Sequence, residues 1–192
     1  MPYEFKSVRR DWPNGPAQCK HVTCVYRRSK PADEWQPWVV VAPSALLHRL
    51  GVSGRGLYAA RAFRREERIG QYGGTVLGTF ASRDEALASP FCGPDRDKLI
   101  TRRPSEGGPG VQLVCGHAAG PPFLQLINDP RGTRLGANVR LTQGGWVIAL
   151  RARAKRFDLR RGLEANIGAE LRLAYGDDFW DGRDGDGREK KK

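Results

Sequence analysis

The apolar runs of this chain are short, in a sequence punctuated by glycine and proline. "WVVVAPS" (38–44), "LYAARAF" (57–63), "RIGQYGGTVLG" (68–78), "VQLVCG" (111–116), "PFLQLIN" (122–128), "NVRL" (138–141), "WVIALRARA" (146–154) and "AELRLAYG" (169–176) all fit this description. Runs of this length suit strands and are too short for helices that bury a stripe. One segment reads as a helix: 81–90, with Ser82 as N-cap, Glu85 three residues on as its capping-box partner, and Pro90 beyond the end. Many strands, one clear helix and no βαβ rhythm predict a mostly β (α+β) domain of small curved sheets.

With 192 residues the chain suits one domain with short extensions. Residues 1–38 carry Trp12, Trp35 and Trp38 with little periodicity, and read as an arm packed onto a body formed by 39–180. Residues 81–122 read as an insert, with a loop over 93–110. Residues 181–192 contain no apolar side chain and are predicted to be disordered. No run approaches the roughly 20 apolar residues of a membrane helix, and the first residues lack a secretion-signal core, so a soluble intracellular protein with no membrane partner is expected. Four cysteines are too few for a disulfide scaffold. Cys19 and Cys24 bracket His21 without a zinc spacing, so reduced structural thiols are favoured over a metal site.

The balance of 33 Lys and Arg against 21 Asp and Glu leaves a net charge of +12. A basic surface favours polyanions such as nucleic acid, although an arginine-rich coding habit produces the same composition. Arginine concentrates in "LRARAKRFDLRR" (150–161).

Two asparagines stand ten residues apart in "FLQLINDPRGTRLGANVRL" (123–141), each at the mouth of an apolar run. Turn chemistry explains either one alone. With three other pieces they form an ordered set: "GRGLYA" at 54–59, "QYGG" at 71–74, "LINDPRGTRLGANVRL" at 126–141 and "AELRLAYGDDFW" at 169–180. In this order and spacing the set resembles the SET domain of protein lysine methyltransferases, over about residues 39–180.

The resemblance implies a SET fold closed by a C-terminal pseudoknot, with the last segment passing beside the two asparagine segments. It implies S-adenosyl-L-methionine as cofactor and a lysine side chain as methyl acceptor, on a histone or another basic chromatin protein in the nucleus rather than the cytoplasm. Tyr175 and Tyr72 become the catalytic tyrosines. Arg55, Gly56, Leu57, Asn128, Asp129, Tyr175 and Trp180 become cofactor-binding residues. Tyr72, Leu173 and Phe179 line the substrate channel, and no metal is involved. Asn128 would fix backbone and adenine, and Asn138 would tie the returning strand to the loop. Phe179 or Trp180 would cover the cofactor or cap the channel, a core role being the alternative. Asp177, Asp178 and Asp181 would receive a basic tail. Asp129 departs from the family's usual His, Ala137 from its Pro, and Leu173 from its Phe or Tyr. These departures sustain an alternative: an inactive SET scaffold that binds chromatin or nucleic acid through its basic surface.

Overall fold

The computed structural model describes residues 3–9, 21–28, 34–90, 99–104, 107–117, 123–150, 156–158 and 167–175. The expectations placed on Trp12, Cys19, Asp177, Asp178, Phe179, Trp180, Asp181 and the tail lie outside them, as does most of the 150–161 stripe.

Strands β1 (Tyr3–Arg9), β2 (His21–Arg28), β3 (Trp35–Pro43) and β4 (Arg55–Ala59) form an antiparallel sheet in that order. Successive strand residues face opposite sides, and both sides of β3 are covered. Val39 and Val41 enter the larger core, while Val40 and Ala42 enter a smaller one with Tyr58, Phe157 and Ala169. Burial on two faces is why "WVVVA" reads as a continuous apolar run. A bulge in the β2–β3 pairing lets consecutive residues Trp38 and Val39 both face the larger core. The segment expected as an arm therefore contributes two strands to the main sheet.

A second sheet has the order β5 (Arg68–Gln71), β10 (Trp146–Ala149), β9 (Val139–Leu141). Trp38 Nε1 donates to the Ile69 carbonyl at 2.7 Å and joins it to the first sheet. A third sheet has the order β6 (Thr75–Phe80), β8 (Val111–Cys115), β7 (Leu99–Arg102). Helix α2 (Arg83–Ala88) begins where its caps predict: Ser82 Oγ accepts from Glu85 N at 3.2 Å, and the Glu85 carboxylate accepts from Ala81 N at 2.9 Å. The fold is mostly β, built of small antiparallel sheets with short helices.

The structure corrects four local expectations. The 93–110 stretch read as a loop contains β7. A second helix, α1 (Ala45–Arg49), follows β3 directly, and Ser44 caps it by accepting from Leu47 N at 3.0 Å. The 122–128 run is not a strand. Phe123 adopts a left-handed φ of 59° and the chain enters a 3-10 turn, Leu124–Leu126, whose i→i+3 bonds satisfy the backbone locally. Residues 169–175, within the run expected as a strand, form no continuous strand: Glu170, Arg172 and Leu173 each make an isolated bridge to a different partner.

Candidate functional site

The segment 170–175 lies between the two asparagines. Leu173 N donates to the Asn128 carbonyl at 3.1 Å, and Val139 N donates to the Arg172 carbonyl at 3.1 Å. Asn138 uses both ends of its amide. Its Nδ2 donates to the Glu170 carbonyl at 2.8 Å and its Oδ1 accepts from Arg172 N at 2.7 Å. A side-chain amide offers donor and acceptor together, as a peptide does, so Asn138 replaces one rung of a sheet ladder where no sheet continues. Asn128 Nδ2 donates to the Arg55 carbonyl at 3.0 Å and to Glu170 Oε1 at 3.3 Å. This is the backbone-fixing role expected of both asparagines.

Glu170 is fully buried and organises the crossing. Its carboxylate accepts from Ser44 Oγ at 2.5 Å, Leu46 N at 2.9 Å, Tyr58 Oη at 3.3 Å and Asn128 Nδ2. Burying a charge is costly unless hydrogen bonds replace its water, and here four donors do so. Burial and the neighbouring Glu170 charge push the Tyr58 phenol far above its ordinary value.

Glu170 also accounts for Gly56. A Cβ there would collide with Glu170 Oε1 and approach Ser44 Cβ at 3.2 Å. Gly54 is crowded by the Leu47 side chain. Gly56, expected at a cofactor-binding turn, thus has a reason inside the fold. Leu57 is fully buried, and its carbonyl accepts from Leu171 N at 2.7 Å. Of the three positions expected at this turn, Arg55 alone is exposed.

Tyr175, Tyr72 and Leu173 come together. They line one cavity of about 390 Å³ with Ile100, Leu124, Gln125 and Ile127 among its walls. The Tyr175 hydroxyl donates to the Ile127 carbonyl at 2.5 Å. Tyr72 is buried, with its N–H on the Gly145 carbonyl at 2.7 Å. A Cβ at Gly116 would stand 2.7 Å from the Tyr72 hydroxyl and 3.0 Å from Gln125 Cβ, so Gly116 makes the room that this hydroxyl occupies. Leu173 supplies an aliphatic wall where an aromatic one is usual in the resembled family.

Asp129 holds backbone rather than facing open space. Its Oδ1 accepts from Arg131 N and its Oδ2 from Tyr175 N, both at 2.7 Å. The sequence marked Asp129 as a cofactor-binding position that departs from the family's His, without its hold on Tyr175, and it missed Glu170, Gln125 and Gly116 as parts of the site. A Glu inside an apolar segment, "GAELRLA", was the one available signal for Glu170; Gly116 gave none.

Neither Cys24 nor Cys115 is in a disulfide. Among the described residues no group of three His, Cys, Asp or Glu is placed to hold a metal ion, and no helix is long and apolar enough to cross a membrane. No protein-family model matches this chain, and no match was found for it among curated proteins.

Proposed function

We propose that this chain is an S-adenosylmethionine-dependent protein lysine N-methyltransferase of the SET type. One observation carries the reading: two tyrosines far apart in sequence, Tyr72 and Tyr175, share one mostly apolar cavity that the asparagine-bracketed segment closes. Four motifs in family order, with their asparagines used on backbone, support it.

The cavity suits the task. A lysine must arrive neutral to act as a nucleophile, yet its free pKa is about 10.4. Walls such as Leu124, Ile127 and Leu173 would desolvate the ammonium and favour its neutral form. The two tyrosine rings would attract the incoming cation through their faces. The Tyr175 hydroxyl and the Ile127 carbonyl, already bonded to each other, put two oxygens at one point of the wall, where they would orient the amine. S-adenosylmethionine would supply a sulfonium methyl for in-line transfer. Arg55 and the main chain of Asn128 and Asp129 would hold it. Proton loss goes to water, without a fixed base.

A basic chromatin protein, typically a histone tail, is the substrate class of this reading, which implies a nuclear location. The surface favours a second contact, with DNA. Arg49 at the end of α1, Arg55 at the start of β4, and Arg131 and Arg134 after the Asp129 turn are all exposed, and the two regions approach where Leu50 lies beside Gly132. Such a surface would hold nucleosomal phosphates beside the tail. The same arginines sustain the alternative of a non-catalytic scaffold.

Calorimetric titration with S-adenosylhomocysteine separates the two. Micromolar binding, weakened at least about tenfold by Asn128→Ala, supports the enzyme; about 1.4 kcal/mol corresponds to each factor of ten. A folded sample that binds DNA but no S-adenosylhomocysteine is the scaffold.

A further inference from the structure

We propose that Asp129 is the positioning residue for Tyr175. The inference rests on the methyltransferase reading, and goes beyond it by assigning a task to the carboxylate. Three successive residues grasp the end of the crossing segment. The Ile127 carbonyl takes the Tyr175 hydroxyl at 2.5 Å, the Asn128 carbonyl takes Leu173 N–H at 3.1 Å, and the Asp129 carboxylate takes Tyr175 N–H at 2.7 Å. Tyr175 is therefore held at both ends, by its main chain and by its phenol. The hold at the main-chain end is a charge-assisted hydrogen bond, roughly twice as strong as a neutral one.

The carboxylate is itself aimed. Its other oxygen accepts from Arg131 N at 2.7 Å and closes a turn over Pro130, whose ring sets φ. Pro130 is buried, and its carbonyl accepts from Thr133 N at 3.1 Å and from Thr133 Oγ1 at 2.7 Å. The turn thus aims Oδ2 at Tyr175. Two acceptor oxygens on one short side chain are what the geometry needs. Asn has one acceptor and turns N–H donors toward the other N–H; Ala has none. The ring of Tyr175 stands in the cavity wall, so a shift of its main chain moves the hydroxyl relative to any bound amine. Displacements of about 1 Å at such a point cost about a hundredfold in rate.

The test uses the full chain and two readouts. By NMR-detected hydrogen exchange, Asp129→Ala should speed exchange of the Tyr175 amide at least about tenfold, with the Leu173 amide, bonded to Asn128, as internal control. With radiolabelled S-adenosylmethionine and mixed core histones, Asp129→Ala should lower kcat about thirtyfold or more and change KM for S-adenosylmethionine by less than about threefold. Asp129→Asn should fall between. In the double variant with Tyr175→Phe, the loss should exceed that of Tyr175→Phe alone by no more than about threefold, because the two residues act as one unit. An unchanged Tyr175 exchange rate in Asp129→Ala overturns the proposal, as does full multiplicativity of the two kinetic losses. If the wild-type chain neither binds S-adenosylhomocysteine nor labels histones, the enzyme reading fails on its own. The exchange result still decides whether Asp129 holds Tyr175.

Discussion

In the β1–β4 sheet, backbone ladders pair the strands and apolar side chains such as Val39, Val41 and Leu57 fill one face. At the crossing of 170–175 there is almost no ladder. Asn128, Asp129, Asn138 and Glu170 do the joining with side-chain atoms, each bonded to specific backbone groups. Apolar burial is roughly proportional to area and indifferent to which atom touches which. A buried hydrogen bond depends on one donor and one acceptor, and a mismatch leaves a group unsatisfied. The sheet should therefore tolerate changes that keep volume, and the crossing should not.

An isosteric pair puts that difference at its widest. Glu170→Gln keeps the shape but turns an NH₂ toward the donors of Ser44, Leu46, Tyr58 or Asn128, and is expected to cost about 2–4 kcal/mol. Leu57→Met, equally isosteric in the sheet, is expected to cost less than about 1.5 kcal/mol. Urea denaturation of both measures the gap, and equal losses would erase the distinction. Asn138→Asp comes next, at about 1–3 kcal/mol, because a carboxylate would face the Glu170 carbonyl in place of an N–H. A result within error of wild type would show that Asn138 is dispensable to the crossing.

Gly116→Ala sharpens the comparison from the cavity side. Its Cβ needs the space of the Tyr72 hydroxyl, so histone labelling should fall about tenfold or more while stability changes by about 1–3 kcal/mol. Loss of stability without loss of turnover would remove Tyr72 from the reaction. The smallest effect is alkaline. The Tyr58 phenol, its Oη on the Pro43 carbonyl and Glu170, is raised when folded, so its contribution is complete below the unfolded value near 10. Above about pH 10 the unfolded chain loses this proton first, and stability should drop by up to ~1.4 kcal/mol per pH unit. Tyr58→Phe should flatten that slope, and an unaltered slope assigns it to other groups.

What could be read from the residues in order was local. The α2 caps, the short strands, the glycine stops and the two asparagines as a bracket each depend on neighbours within a few positions. The brief α1 escaped notice because Pro43 already explained the end of β3, although Ser44 stood ready as its cap. The 122–128 run misled because a left-handed φ at Phe123, a non-glycine residue, leaves no trace in hydrophobic pattern. At the site, Tyr72, Leu173 and Tyr175 were legible as an ordered set, and their meeting at one cavity was implied by the family resemblance and not by the residues themselves.

The sequence by itself determined a mostly β chain of short strands, and marked the asparagines and tyrosines that its crossing segment uses. Tertiary structure alone decided what the carboxylates do. Donors to Glu170 come from positions 44, 46, 58 and 128, and the partly buried Asp129 takes one from position 175. A buried carboxylate is defined by the donors around it. Donors brought together from distant parts of a chain have no signature in the order of its residues.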